Sequence, residues 1–244
     1  MKTLYLVTAR GGSKGVPGKN LEKIGGLSLV GWKIWAARDC DLDADIIVST
    51  DSVEIAEEAR DHGALVLARP AELATDEARS ADVIKHALRS LGNGVDYDQV
   101  MLLEPSSPFA TGAHMRKALS MMETYGADLV VGMKDVAVHS AFVGERRPND
   151  AINNIILSMK RHGRHLRRQD LVQEWTMNGA LYLFRADMFL ATGDIYGGNA
   201  NHGLWMELWN SIEIDTPHDL ELARYAFEKG YVKKPARTPL MAIA

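Results

Sequence analysis

The sequence predicts an α/β fold, a mostly parallel sheet with helices on both faces. Three observations point there. Short apolar runs of strand length alternate with amphipathic stretches at helical spacing. The connections between them are short, which suits strand–helix–strand units rather than hairpins. Polar residues collect where the apolar runs end, the place at which an open α/β sheet builds its site.

The elements follow in order. Leu4–Val7 is a buried strand, and after a Gly-rich loop Leu29-Val-Gly-Trp-Lys-Ile-Trp-Ala-Ala carries apolar residues at helical spacing. Ile46–Val48 is a second strand, followed by a helix from Ile55. Leu65–Leu67 is a third, with Ser80–Leu91 a helix capped by Ser80 or Asp82. Val100–Leu103 is a fourth, after which Thr111 caps a helix reaching about Tyr125, and Leu129–Val131 is a fifth. The pattern breaks after Met133. Between Val138 and Gln173 the chain is richer in Arg, His and Asn, with one strand-like piece, Ile152–Met159, so 138–173 reads as an inserted arm. Ala180–Phe184 then restores a strand, Asp187–Ala191 a short helix and Ser211–Asp215 a last strand. Thr216, Pro217 and Asp219 open a final helix, as cap, first-turn proline and first-turn acid. The expected layout is one domain over 1–232 and a loose tail over 233–244.

Composition narrows the function. The chain has 244 residues, long enough for one sizeable core, and a net charge of −4 with its cations dispersed, which points away from nucleic acid. Its single cysteine, Cys40, excludes an internal disulfide framework and a thiolate metal cluster, and fits a reducing compartment. No apolar stretch is long enough for a membrane span, so a cytoplasmic location is expected.

The most informative stretch is Thr8-Ala-Arg-Gly-Gly-Ser-Lys-Gly-Val-Pro-Gly-Lys-Asn20, directly after the first strand. Gly11 and Gly12 let the backbone approach an anion, and the free N–H groups of the loop can donate to it. Arg10, Lys14 and Lys19 supply the charge that amides lack. A polyanion such as a nucleoside triphosphate fits such a loop. The spacing matches neither the Walker loop, which needs Gly-Lys-Ser/Thr, nor the dinucleotide fingerprint. The second element is Glu213-Ile-Asp215. Two carboxylates two apart on a strand share a face, and beside phosphates such hard ligands suit Mg²⁺ or Mn²⁺. The plainer alternative makes Asp215 a helix-entry residue and Glu213 a solvated one. Arg69 and Ser80 could hold a base and ribose, although Arg-Pro turns and serine caps are common. Arg167-Arg-Gln169 could equally be an exposed basic patch, Asn178-Gly179 a turn, and Trp175, Trp205 and Trp209 packing residues.

Together the opening loop, Ser49-Thr-Asp51, Arg69-Pro-Ala-Glu-Leu-Ala-Thr-Asp76, Leu103-Glu-Pro-Ser-Ser-Pro108, Arg167-Arg-Gln169, Asn178-Gly-Ala180 and Ser211-Ile-Glu-Ile-Asp215 resemble the acylneuraminate cytidylyltransferase family, the CMP-sialic acid synthetases. The match runs in order from Leu4 to about Leu222. The resemblance implies a Rossmann-like nucleotidyltransferase fold. It also implies CTP as co-substrate, Mg²⁺, and a homodimer whose arm reaches into the neighbouring site. By that resemblance Arg10, Gly11, Gly12, Ser13, Lys14, Lys19, Asn20, Arg69 and Ser80 would contact the nucleotide, with Arg10, Lys19 and Asp215 catalytic. Asp215 and Glu213 would bind metal. Glu104, Gln169, Asn178 and Arg168 of the partner subunit would hold a nine-carbon α-keto acid sugar, which attacks the α-phosphate and releases pyrophosphate.

The departures concern the acceptor. Where the family reads Leu-Gln-Pro-Thr-Ser-Pro-Leu-Arg, this chain has Leu103-Glu-Pro-Ser-Ser-Pro-Phe-Ala110, and Phe142 and Thr176 replace arm cations. An ionised Glu104 would repel an acceptor carboxylate by about 1–4 kcal/mol at ~4 Å. Transfer of CMP or GMP to another acceptor, such as an amino sugar phosphate, is therefore an alternative. A non-catalytic nucleotide-binding regulator is disfavoured by the Glu213/Asp215 pair, and a P-loop ATPase by the missing Gly-Lys-Ser/Thr step.

Overall fold

The computed structural model describes residues 1–41, 44–91, 97–163, 167 and 171–235. A seven-stranded sheet organises the chain. Its strands are β1 (Thr3–Thr8), β4 (Asp45–Thr50), β5 (Leu65–Ala68), β6 (Gln99–Leu103), β7 (Leu129–Asp135), β8 (Trp175–Arg185) and β9 (Asn201–Trp205), in the order β5-β4-β1-β6-β8-β7-β9. A two-stranded hairpin, β2 (Lys23–Ile24) and β3 (Leu27–Ser28), stands apart. Among the described strands of this sheet, β8 alone runs antiparallel to its neighbours. The helices are α1 (Leu29–Cys40), α2 (Val53–Asp61), α3 (Ser80–Leu91), α4 (Gly112–Tyr125), α5 (Asn153–His162), α6 (Ala186–Thr192) and α7 (Pro217–Glu228).

The alternation of side chains along β1 explains the layering. Tyr5 and Val7 join Val30 and Ile34 of α1, Ile55 of α2 and Met115 of α4 in one core. Leu4 and Leu6, on the other face, join Ile84 and Ala87 of α3 and Phe189 of α6 in a second. The caps work as their residue types suggest. Ser28 accepts from Gly31, Ser52 from Ile55, Thr111 from His114 and Thr216 from Asp219, satisfying N–H groups that a helix start leaves unpaired. Because α3 begins at Ser80, that residue is its first helical position, not its cap.

A third apolar cluster positions the site. It packs Val16 of the Gly-rich loop, Ile24 and Leu27 of the hairpin and Trp32 of α1 against Ile212, Ile214, Leu220 and Ala223. Each large side chain buried there contributes about 1.5–3 kcal/mol. The amino-terminal loop and the 212–215 segment, almost two hundred residues apart in sequence, are thereby pressed together.

Three expectations need correction. Ser211–Asp215 is not a sheet strand. A 3₁₀ turn (Trp209–Ser211) ends there, and the extended segment beyond it is pinned by the Ile214 N–H donating to the Ser106 carbonyl at 2.7 Å. The sheet position is filled instead by β9, an edge strand. Ile152–Met159 is not a strand: Ile152 is the N-cap of α5 and the rest lies within that helix, with Ile152, Ile155, Ile156 and Met159 recurring at steps of three and four. Trp175 and Trp205 are not buried packing residues, since both are exposed at the ends of the strands that carry them.

Candidate active site

In this topology β4 and β6 flank β1 on opposite sides, so the chain reverses its winding there and leaves a crevice beyond the carboxyl ends of β1 and β6. A cavity of about 420 Å³ opens at that point. Around it stand Arg10, Ser13, Lys14, Lys19 and Asn20 from the loop, Arg69, Asp76 and Ser80 from the β5–α3 region, and Glu104 and Asp215. Residues predicted from opposite ends of the sequence thus meet in one space.

The contacts assign each side chain a task. Lys19 is largely buried; its ammonium donates to the Ile214 carbonyl at 2.7 Å and to Asp215 Oδ1 at 3.1 Å. Asn20 donates to the Arg10 carbonyl at 2.9 Å, fixing the loop's shape. Arg69 is buried and donates to the Ser49 carbonyl and hydroxyl at 2.6 and 3.2 Å, which makes it a fixed positive wall. Burial lowers its pKa while the charge of Asp51 opposes that effect. The first turn of α3 reaches the cavity through Ser80, adding the partial positive charge of a helix start. Four cations and a helix terminus around one hollow suit a polyphosphate.

Gly11 and Gly12 do not line this cavity. The Gly11 amide is already used, donating to Asp51 Oδ1 at 2.9 Å, so it anchors the loop to β4. Gly15 is the glycine that matters most, because a methyl group there would overlap the Asp215 carbonyl oxygen. Only hydrogen lets the loop and the acidic turn touch.

The acids form a second feature. Burial raises the pKa of Glu213, and the neighbouring charge of Asp215 raises it further. Glu104 is raised by burial first and then by Glu213, with Lys33 and Lys19 acting in the opposite sense. Glu213 sits beside Gly179, whose positive φ of 68° and missing side chain leave it room. Glu213 and Asp215 together line a neighbouring groove with Lys134, Thr176 and Asp219. Asp215 lines both the cavity and this groove, and Glu213 only the groove; two oxygen-donor residues on one short segment beside a cation-rich cavity suit Mg²⁺ or Mn²⁺, whose other ligands would come from phosphate and water. Among the described residues no group of three metal-ligating side chains adds to them.

Asn178 is not available to a substrate. It is fully buried, its amide donating to Ser211 Oγ at 2.9 Å and its carbonyl oxygen accepting from the Ala180 N–H at 3.1 Å. It orders the bend between β8 and the 211–215 segment. Ala110 is buried in the core, whereas Thr176 is exposed on β8. Arg168 and Gln169 lie outside the described residues.

A second cavity, of about 310 Å³, adjoins the first and shares Ser80 and Glu104 with it. Its walls mix Ile84, Leu102 and Ile195 with Tyr182, Tyr196, Arg79 and Asp194. Sequence reasoning missed these residues: Tyr182 within an apolar run reads as packing, and Arg79, Asp194 and Tyr196 lie in loops or at a helix start that carry no motif.

It also missed Asp76, which accepts from Arg10 at 2.7 Å on one oxygen and from Lys14 at 2.7 Å on the other. Hydrogen bonds from Lys14 and then Arg10 hold its carboxyl below the ordinary range. A phosphate entering between those cations must displace it. Asp76→Asn is therefore expected to tighten triphosphate binding by about threefold at low salt and less at high salt, measured by calorimetric titration. Unchanged or weaker binding at low salt would contradict that role.

Comparison with known proteins adds independent findings. A family model described as cytidylyltransferase matches residues 4–231. The chain is 31% identical to the N-acylneuraminate cytidylyltransferase of Escherichia coli over 91% of its own length and 51% of that protein. It is 29% identical to the CMP-N,N'-diacetyllegionaminic acid synthase of Legionella pneumophila, over 93% of this chain and 97% of that one. The chain thus spans about half the length of some relatives and nearly all of another. In fold it is similar to a CMP:2-keto-3-deoxy-manno-octonic acid synthetase solved with CTP, at a TM-score of 0.67 and 15% identity over 94% of this chain and 100% of that one. Among the described residues no helix is long and apolar enough to cross a membrane.

Proposed function

This chain belongs to the cytidylyltransferase family, and from that premise we propose that it transfers CMP from CTP to an acidic sugar of the sialic acid type, releasing pyrophosphate. The observation that carries this reading is the Lys19–Asp215 contact inside the 420 Å³ cavity. One wall supplies cations for the phosphates, and the facing wall supplies acids.

Arg10, Lys14 and Lys19 hold the β- and γ-phosphates, where negative charge accumulates as pyrophosphate leaves. Arg69 and Ser80 border the same space and hold the nucleoside end. The acceptor occupies the second cavity, so that its anomeric hydroxyl reaches the α-phosphate past Glu104. A new O–P bond forms from that oxygen as the bond from the α-phosphorus to the bridging oxygen of pyrophosphate breaks, and the hydroxyl proton leaves to solvent. A Mg²⁺ or Mn²⁺ ion held by Asp215 and Glu213 would screen phosphate charge and acidify the attacking hydroxyl.

A homodimer completes the proposal. The arm exposes Val138, Val143, Ile152, Ile156 and Leu157, an apolar surface that a second copy could cover. Such an enzyme would work in the cytoplasm, where CTP is found. The acidic Glu104 favours a second reading, in which the acceptor is an amino sugar phosphate. Pyrophosphate release separates the two. With Mg²⁺ and N-acetylneuraminic acid, CTP is expected to react and ATP, GTP and UTP are not. Release from GTP, or none from CTP with any acidic sugar, would overturn the first reading.

A further inference from the structure

Between the register pairs Val131–Tyr182 and Met133–Met177, the single residue Gly132 of β7 stands opposite Asn178, Gly179, Ala180 and Leu181 of β8. The ladder of β8 with β6 also stops at Tyr182. Neither ladder includes this bulge, yet all four of its residues are buried, so its N–H and C=O groups need partners from elsewhere.

Side chains meet three of those groups. The Ser107 hydroxyl donates to the Asn178 carbonyl at 3.2 Å, and the Ala180 N–H donates to the Asn178 amide oxygen at 3.1 Å. The third comes from α1, where Lys33 is wholly inaccessible to solvent and donates to the Ala180 carbonyl at 2.7 Å. Lysine is costly to bury, and burial lowers its pKa to about 7. Its long stem is what carries a donor from the helix across to the strand.

The bulge in turn seats the acidic segment. The Asn178 amide donates to Ser211 Oγ at 2.9 Å, and the Ile214 N–H is tied to the Ser106 carbonyl at 2.7 Å. Glu213 lies between these two anchors. A methyl group on Gly179 would come to 3.1 Å from a Glu213 carboxylate oxygen and from the Ser107 hydroxyl, so that carboxylate rests against the bulge itself. A methyl group on Gly132 would overlap the Asn178 amide oxygen, so β7 also leaves room for this arrangement.

We propose that Lys33 is a positioning residue for the Glu213 carboxylate, holding through the Ala180 carbonyl the bulge on which the 211–213 segment is seated. Its place in the reaction rests on the reading that Glu213 and Asp215 hold the metal ion. A shift of the bulge would carry Glu213 out of register with Asp215 and leave the cation loop untouched.

Mn²⁺ alone, titrated into the full-length protein and followed by the electron paramagnetic resonance of the free ion, tests this. Lys33→Met is expected to raise the Mn²⁺ dissociation constant about tenfold, while the CTP dissociation constant measured in EDTA stays within about twofold. In a Glu213→Gln background the same change is expected to raise it by less than about threefold. A rise under about threefold with Glu213 intact, an equal rise in both backgrounds, or a parallel loss of CTP affinity would overturn the proposal. If Lys33→Met does not fold, Ser107→Ala takes its place, removing only the bond to the Asn178 carbonyl. About threefold weaker Mn²⁺ binding then supports the bulge as the positioning device, and a smaller change overturns it. Absence of Mn²⁺ binding by the unaltered protein would sink the metal reading instead. A crystal structure of the variant would still judge the positioning, with the Glu213 carboxylate displaced by about 1 Å or more if the proposal holds and unmoved if it fails.

Discussion

Lys19→Ala is expected to lower kcat/KM for CTP by about 10²–10³-fold while leaving the melting midpoint within a few degrees. The size follows from where the ammonium sits. Held by the Ile214 carbonyl and Asp215, and largely shielded from water, it is already aimed before substrate arrives. A fixed donor in a partly dehydrated site stabilises developing charge more than a mobile surface lysine can. Its removal also leaves Glu104 and Glu213 without a cation that offsets their repulsion. Steady-state kinetics with CTP varied reads the effect, and a loss of under about tenfold would mean that Lys19 serves the fold of the turn and not the phosphates.

Gly15→Ala is expected to lower kcat by about a hundredfold without touching any side chain of the site. The added methyl group would collide with the Asp215 carbonyl oxygen, a backbone atom that cannot rotate away. The Gly-rich loop and the 213–215 segment would have to separate, and a displacement near ~1 Å is enough to spoil in-line geometry. Both pieces are tied down elsewhere through Val16, Ile212 and Ile214, so the molecule should still fold, with a modestly lower midpoint. Unimpaired turnover would show that the contact is incidental.

The sequence made the sheet and the cation loop legible for simple reasons. Buried parallel strands read as unbroken apolar runs, and Thr111 and Thr216 mark helix starts by chemistry that acts within four residues. The pairing of the loop with Asp215 was legible as an idea about charge, and the apolar cluster around Val16, Trp32 and Ile214 provides the mechanics. What was hidden depended on distant partners. β9 is a half-exposed edge strand broken by Gly203, with no run to announce it. Ser211–Asp215 has the alternation of a strand but meets Ser106 and not a sheet edge. Asn178 looked like a turn or a ligand contact, and only its bonds to Ser211 and Ala180 reveal a buried strut. Asp76 lies in a loop whose meaning appears only once Arg10 and Lys14 are seen to close on it. Lys33 reads as an ordinary polar position on α1 until β8 covers it.

A crystal structure with CTP and Mg²⁺ tests the central claim most directly. The account predicts a triphosphate in the 420 Å³ cavity, with Lys19 and Arg10 on its outer phosphates and Asp215 as the residue that would hold the metal ion. CTP bound away from that cavity, with the Lys19–Asp215 and Arg10–Asp76 contacts undisturbed, would contradict it.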